Sequence, residues 1–218
     1  MRAVMPTTAK FILHALSFLA IVAIITKELD QRHDMGQPRR SIGKAASQHG
    51  LPVPATPPMP TILSHMAAPL ALRLGLGKLV ISPRLLMAGL AASVLPDLDV
   101  LAFRFGIPYA DAFGHRGASH SLAIALLLGL LAASMASPLR AQRAVAFAFV
   151  AFSAASHGAF DMLTNGGHGV ALWWPWSSER LFLPWQVVEA SPLSLRRVFG
   201  PKGVEVLLSE LLWVWLPC

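Results

Sequence analysis

Four short stretches put histidine and aspartate where apolar segments begin or end: Ser64-His65, Pro96-Asp97-Leu98-Asp99, His115-Arg116-Gly117-Ala118-Ser119-His120 and His157-Gly158-Ala159-Phe160-Asp161. Imidazoles and carboxylates are expensive to group at the ends of greasy helices unless something binds them. Mixed His and carboxylate donors suit a divalent cation, with Zn the default for hydrolysis and Mn or Fe as alternatives. His65, Asp97, Asp99, His115, His120, His157 and Asp161 are therefore the candidate metal ligands, for one or two ions. His157 and Asp161 stand four apart, so a helix presents both on one face to a single ion. Asp97 and Asp161 at helix C-termini oppose the macrodipole, and a bound cation reverses that balance. His120 is expected just inside a helix N-terminus, where the dipole favours the neutral ring that a metal requires. Gly117 is expected to fold the backbone back so that His115 and His120 converge.

Such a site points to hydrolysis. A metal lowers the pKa of a bound water, and a second ion clamps the leaving oxygen of an ester. Asp99 or Asp161 is the candidate general base, and Arg116 is placed to neutralise a phosphoryl oxygen. Each piece also has a blander reading. His65 alone is an ordinary hydrogen-bonded core histidine, Asp97 and Asp99 alone cap a loop, and His157 with Asp161 alone is a buried polar pair. His14, His33 and His49 are given no role.

The elements that must position these residues are helices. The spacing predicts helices over about 62–75, 84–95, 119–137, 141–163 and 203–216, with Ser119 as an N-cap and the Asn165-Gly166-Gly167 breaker closing the fourth. A loop is expected from Asp97 to Ala118, and β-strands are not expected to matter. If the first four helices alternate in direction, all seven ligand-type residues fall at one end of the bundle.

Composition decides what the helices face. Charged residues make up 13% and hydrophobic ones 55% of the 218 residues, against about 25% charged in ordinary soluble domains. Ser121 to Ala136 and Ala144 to Ala155 carry no charge. The expected fold class is all-α: a polytopic membrane helical bundle of about four to five short helices with an N-terminal apolar extension. A buried helix of a soluble all-α enzyme is the alternative for each run. The net charge of +7 does not indicate nucleic acid, because the basic residues are scattered in ones and twos between apolar segments. The single cysteine, Cys218, offers no disulfide and does not form a prenylation signal.

Two regions are expected: an extension over 1–58 and a helical domain over 59–218. The extension holds the apolar run Phe11 to Ile25, a polar stretch to Gly50 and a proline-rich linker, and Met59 would make a natural start. Glu210 in the last helix either supports the site or pairs with Arg196 or Arg197. Trp173, Trp174, Trp176 and Trp185 read as an interfacial belt, or as the wall of a substrate groove.

The chain from Thr61 to about Pro217 resembles the YdjM family of bacterial inner-membrane proteins, described as metal-dependent hydrolases. The resemblance is carried by His65, PDLD at 96–99, HRGASH at 115–120, HGAFDMLTNGG at 157–167 and the Leu172-Trp173-Trp174-Pro175 run. It implies a multi-pass protein of the bacterial inner membrane with a metal site. The order His, Asp, His, then HxxxD is also similar, more distantly, to that of zinc-dependent phospholipases C. That likeness would make His168 a further ligand, but no ligating amino-terminal residue and no later HxxxE pair correspond. A lipid-linked phosphoester is the expected substrate, because a site at the membrane face meets lipid headgroups.

Arg73, Lys78, Arg84, Arg140 and Arg143 lie in the turns opposite the site, which places the site on the periplasmic side if they face the cytoplasm. A metal-stapled scaffold without turnover is the alternative function. A transporter is the third, although it would be expected to hold its ionisable groups near the midplane.

Overall fold

The computed structural model describes residues 62–189 and 201–216. The extension over 1–58, and the pairing of Glu210 with Arg196 or Arg197, lie outside them. Helix α1 is Ile62–His65 and α2 is Ala67–Leu76. They interrupt the expected first helix at Met66, where Pro69 lacks the N–H that would have bonded the His65 carbonyl. Helix α3, Pro83–Val94, opens on Ser82, whose side chain accepts the Leu85 N–H, with proline in the first position.

The expected loop after α3 begins instead as a 3-10 helix, Leu95–Phe105, ended by left-handed Gly106. Pro96 removes an α-helical hydrogen bond without stopping the chain, which tightens into three-residue turns. A 3-10 turn, Ala118–His120, precedes α4, Leu122–Ser134. The cap of α4 is Ser121, whose hydroxyl accepts the Ile124 N–H at 3.2 Å, not Ser119. Helix α5 runs Arg143–Met162, and α6, Pro201–Glu210, continues into a π-helical turn, Leu211–Trp215.

Helix α5 is the central element, packed against α3 and α4. Small side chains allow the close approach: Ala92, Ala125, Ala132, Ala146, Ala148 and Ala154 are buried around Phe149, Leu85 and Ile81. The segment after α5 folds back on the end of that helix through the Leu183 N–H to the Met162 carbonyl, and on itself through Asn165 N–H to the Val188 carbonyl and a reciprocal pair between Val170 and Leu181. Among the described residues there are isolated bridges but no strands, so the chain is all-helical as expected.

Two stretches are long and apolar enough to cross a membrane, Pro83–Phe105 and Arg143–Met162, while α4 is apolar but shorter. The expected four to five crossings thus become two of sufficient length among the described residues. Leu126, Leu127, Leu130 and Leu131 of α4, and Leu207, Leu208, Leu211 and Leu212 near the C-terminus, are exposed. An apolar surface of that extent suits lipid rather than water.

Candidate metal centre

The ends of α1 and α5, the 3-10 segment after α3 and the turn before α4 meet at one end of the molecule. They bring His65, Asp97, His120, His157 and Asp161 together with their ligand atoms facing. His65 Nε2 lies 3.8 Å from Asp97 Oδ2 and 3.8 Å from Asp161 Oδ1. His157 Nε2 lies 3.4 Å from Asp97 Oδ1 and 3.8 Å from Asp161 Oδ2. His120 Nε2 lies 3.1 Å from Asp161 Oδ2 and 2.9 Å from His157 Nε2. The His65 and His157 rings stack at 3.7 Å. His65 and His157 are fully buried, as are Asp161 and His120 nearly so.

The hydrogen bonds fix which way the lone pairs point. His157 Nδ1 stands 2.8 Å from the Ser93 carbonyl, which can only accept, so Nδ1 carries the proton and Nε2 presents its lone pair inward. His120 Nδ1 lies 3.0 Å from the Ser119 hydroxyl, whose own proton goes to Asp99 Oδ2, so Nδ1 donates to that hydroxyl and the His120 Nε2 lone pair likewise points inward. Two lone pairs 2.9 Å apart repel unless a positive charge sits between or on them. In the metal-free site a proton meets this need. Burial opposes charge on His120, but the adjacent carboxylates of Asp161 and Asp99 outweigh it and hold its pKa up at about 9.

These residues fit a divalent cation. Both nitrogens of His65 and both oxygens of Asp97 and of Asp161 are buried without a hydrogen-bond partner. Buried polar atoms are almost always paired, so orphan atoms on three residues of one cluster call for a partner. Ligand atoms around a cation with bonds of about 2.0–2.2 Å stand roughly 3.3 Å apart, close to the separations here. Two carboxylates also leave a negative charge that Arg116 alone does not balance.

Asp99 and His115 stand beside this cluster. In a 3-10 helix each residue turns the chain by about 120°, so carboxylates two apart face different ways. Asp97 faces His65 and His157, whereas Asp99 accepts from the His115 ring at 2.5 Å, the Ser119 hydroxyl at 2.6 Å and the Arg116 N–H at 3.0 Å. His115 Nε2 is buried and has no hydrogen-bond partner. Asp99, His115 and His120 form a third grouping with metal-ligand spacing, sharing His120 with the main cluster.

Arg116 is fully buried. Its Nε lies 3.1 Å from Asp161 Oδ2, an ion-pair distance without hydrogen-bond alignment. Its other nitrogens donate to the Gly166 carbonyl at 2.8 Å and the Thr164 hydroxyl at 3.2 Å. Its φ of 60° is left-handed, a costly conformation for a branched-out L-residue and one typical of functional sites. Arg116, not Gly117, therefore makes the reversal expected in this loop. Gly117 is required for another reason: a Cβ there would strike the Ala112 carbonyl. Nor is His120 inside a helix N-terminus. It precedes the Ser121 cap, and the aspartates raise its pKa where the dipole was expected to lower it.

His168 lies outside the cluster, exposed, its ring 4.5 Å from Tyr109. Partial burial and the cations Arg180 and Arg116 lower its pKa. Several contributors carry no spacing signal in the sequence. Arg180 donates to the carbonyls of Tyr109, Asp111 and His115 at 2.8, 3.0 and 2.9 Å, which pins the loop that carries the histidines. The Ser93 carbonyl is a main-chain group, invisible to any pattern of residue types.

The sequence profile of the YdjM inner membrane protein family matches residues 59–217. The chain belongs to this family. Inner membrane protein YbcI of Escherichia coli (strain K12) is 48% identical over 160 residues, 73% of this chain and 92% of that protein. No solved structure matches. As a YdjM-family membrane protein, the chain has a natural place for its exposed leucines and for the two helices of spanning length.

Proposed function

We propose that this YdjM-family protein is a metal-dependent hydrolase of the inner membrane, acting on a phosphoester carried by a lipid. The observation that supports it is the convergence of buried, unpartnered His65, Asp97 and Asp161 atoms with the inward lone pairs of His120 and His157. These five residues would hold the cation, Zn by donor type, with Mn or Fe as alternatives. Once bound, such an ion polarises a phosphoryl oxygen and lowers the pKa of water.

The chain's own residues supply the rest. Asp99 orients the His115 ring by accepting from its Nδ1, and the His120 ring through the Ser119 hydroxyl that bridges the two. His115 then has Nε2 available to exchange a proton, and the Asp99 carboxylate stabilises the imidazolium that forms. Arg116 holds Asp161 in place from within the loop, and its remaining N–H groups are the nearest cationic donors for a phosphoryl oxygen. The basic turns at the far end favour the cytoplasm, which supports a periplasmic face for this centre.

A second reading has its own support. Structural metal sites are closed, and here His65, His115 and His157 have no exposure at all. On that reading the cation staples four chain segments and turns nothing over. Turnover separates the two. Zn-loaded protein in detergent, incubated with lipid phosphoesters, should release phosphate or phosphorylated headgroup, and His115→Ala should abolish release while keeping the metal. Full metal content without release from any phosphoester class would leave the staple.

A further inference from the structure

The end of the molecule opposite the metal centre carries a groove of about 490 Å³, lined by Leu79, Val80, Arg140, Ala141, Gln142 and Val145 among others. It lies between the turn that precedes α3 and the turn that precedes α5. The candidate spans begin at Pro83 and Arg143, so the groove sits where the membrane meets water.

Two features make it more than a gap between turns. The first is charge. Arg73, Lys78, Arg84, Arg140 and Arg143 surround this end, while the sequence has no Asp or Glu from Ile62 to Pro96 or from Ser121 to Phe160. Among the described residues none of the five cations forms an ion pair with a carboxylate. The second is preorganisation. Ser82 Oγ donates to the Leu139 carbonyl at 2.5 Å and Arg84 to the Pro138 carbonyl at 3.0 Å, which ties the two turns together. Arg140, on the groove lining, is held at a φ of 52°. A left-handed arginine is costly, and the inference runs from such a residue to a role for its side chain.

We propose that this groove binds the headgroup of an anionic phospholipid. A glycerophosphate headgroup complements the unpaired cations, and its acyl chains continue along the exposed apolar residues Leu79 and Leu74. Lysine and arginine near a membrane surface each contribute enough to change affinity for an anionic lipid by about fivefold. The site is separate from the metal centre and does not depend on its chemistry.

The test uses the full chain in a neutral detergent, with binding read by native mass spectrometry and by the thermal unfolding midpoint. Phosphatidylglycerol, phosphatidylcholine and inorganic phosphate are the three probes. Phosphatidylglycerol should bind and raise the midpoint, phosphatidylcholine should bind at least tenfold more weakly, and inorganic phosphate should have no effect. Arg140→Gln should weaken phosphatidylglycerol about fivefold and Arg140→Lys should restore most of that, while Arg104→Gln, which removes an exposed cation at the other end, should leave it unchanged. Equal binding of the two lipids, or an Arg140→Gln protein that binds like the parent, would overturn the proposal. So would an effect of inorganic phosphate as large as that of the lipid, which would make the groove a free-anion site.

Discussion

A buried carboxylate persists as an anion only with positive partners, and Asp161 has Arg116 on one side and the histidines on the other. Removing one member of such a pair leaves the other uncompensated. Arg116→Ala is therefore expected to cost about 3–5 kcal/mol in the metal-free protein. Arg116→Lys should recover little, since a single ammonium cannot also reach Gly166 and Thr164. Thermal unfolding in detergent checks both. The same scale sets a pH dependence. Without a cation His120 keeps its proton up to about pH 9, and a cation must displace it. Cation binding releases that proton, so Zn affinity should strengthen with pH throughout the range below about 9 and level off above it. Competition with a chromophoric chelator at a series of pH values measures this, and a flat profile would remove His120 from the ligand set.

At the scale of elements, the turn before α4 assigns opposite tasks to two serines. Ser121 caps the helix, and Ser119 donates to Asp99. Ser121→Ala should lower stability by about 1 kcal/mol with metal affinity kept, whereas Ser119→Ala should weaken Zn binding with little change in the unfolding midpoint. Chelator competition and thermal unfolding on the two variants test the assignment. Sequence spacing favoured Ser119 as the cap because it stands first before the apolar run. Three-residue turns could not be foreseen from hydrophobic period, and they also decided how Asp97 and Asp99 divide their work. The i, i+4 pair of His157 and Asp161 was legible because a long α-helix leaves no choice about which face they share. Arg180 was not legible, since its partners are backbone carbonyls of a distant loop. Gly158 belongs with it: a Cβ there would come within 2.9 Å of the His120 carbonyl, a contact that no local pattern announces.

Over the whole molecule, polarity is divided between two ends. The metal centre gathers the buried acids and histidines, and the opposite turns gather unpaired cations. Helix direction alone makes this sidedness readable in the sequence, because turns that alternate along the chain alternate between the ends. The number of crossings was less readable, since apolar runs of similar composition became a 20-residue α5 and a 13-residue α4. The basic end should face the cytoplasm. A fusion after Ala136 should report a cytoplasmic location and one after Leu163 a periplasmic location, using paired phosphatase and fluorescent reporters; the reverse pattern would put the centre inside the cell. The claim on which the rest depends is that a cation holds the cluster together. Its most direct test is elemental analysis of detergent-purified protein beside His157→Ala and Asp161→Ala. At least one equivalent of Zn, Mn or Fe per chain is expected, falling below about a tenth in either variant. A parent protein with no bound transition metal after growth in metal-replete medium, or variants that retain it in full, would contradict the account.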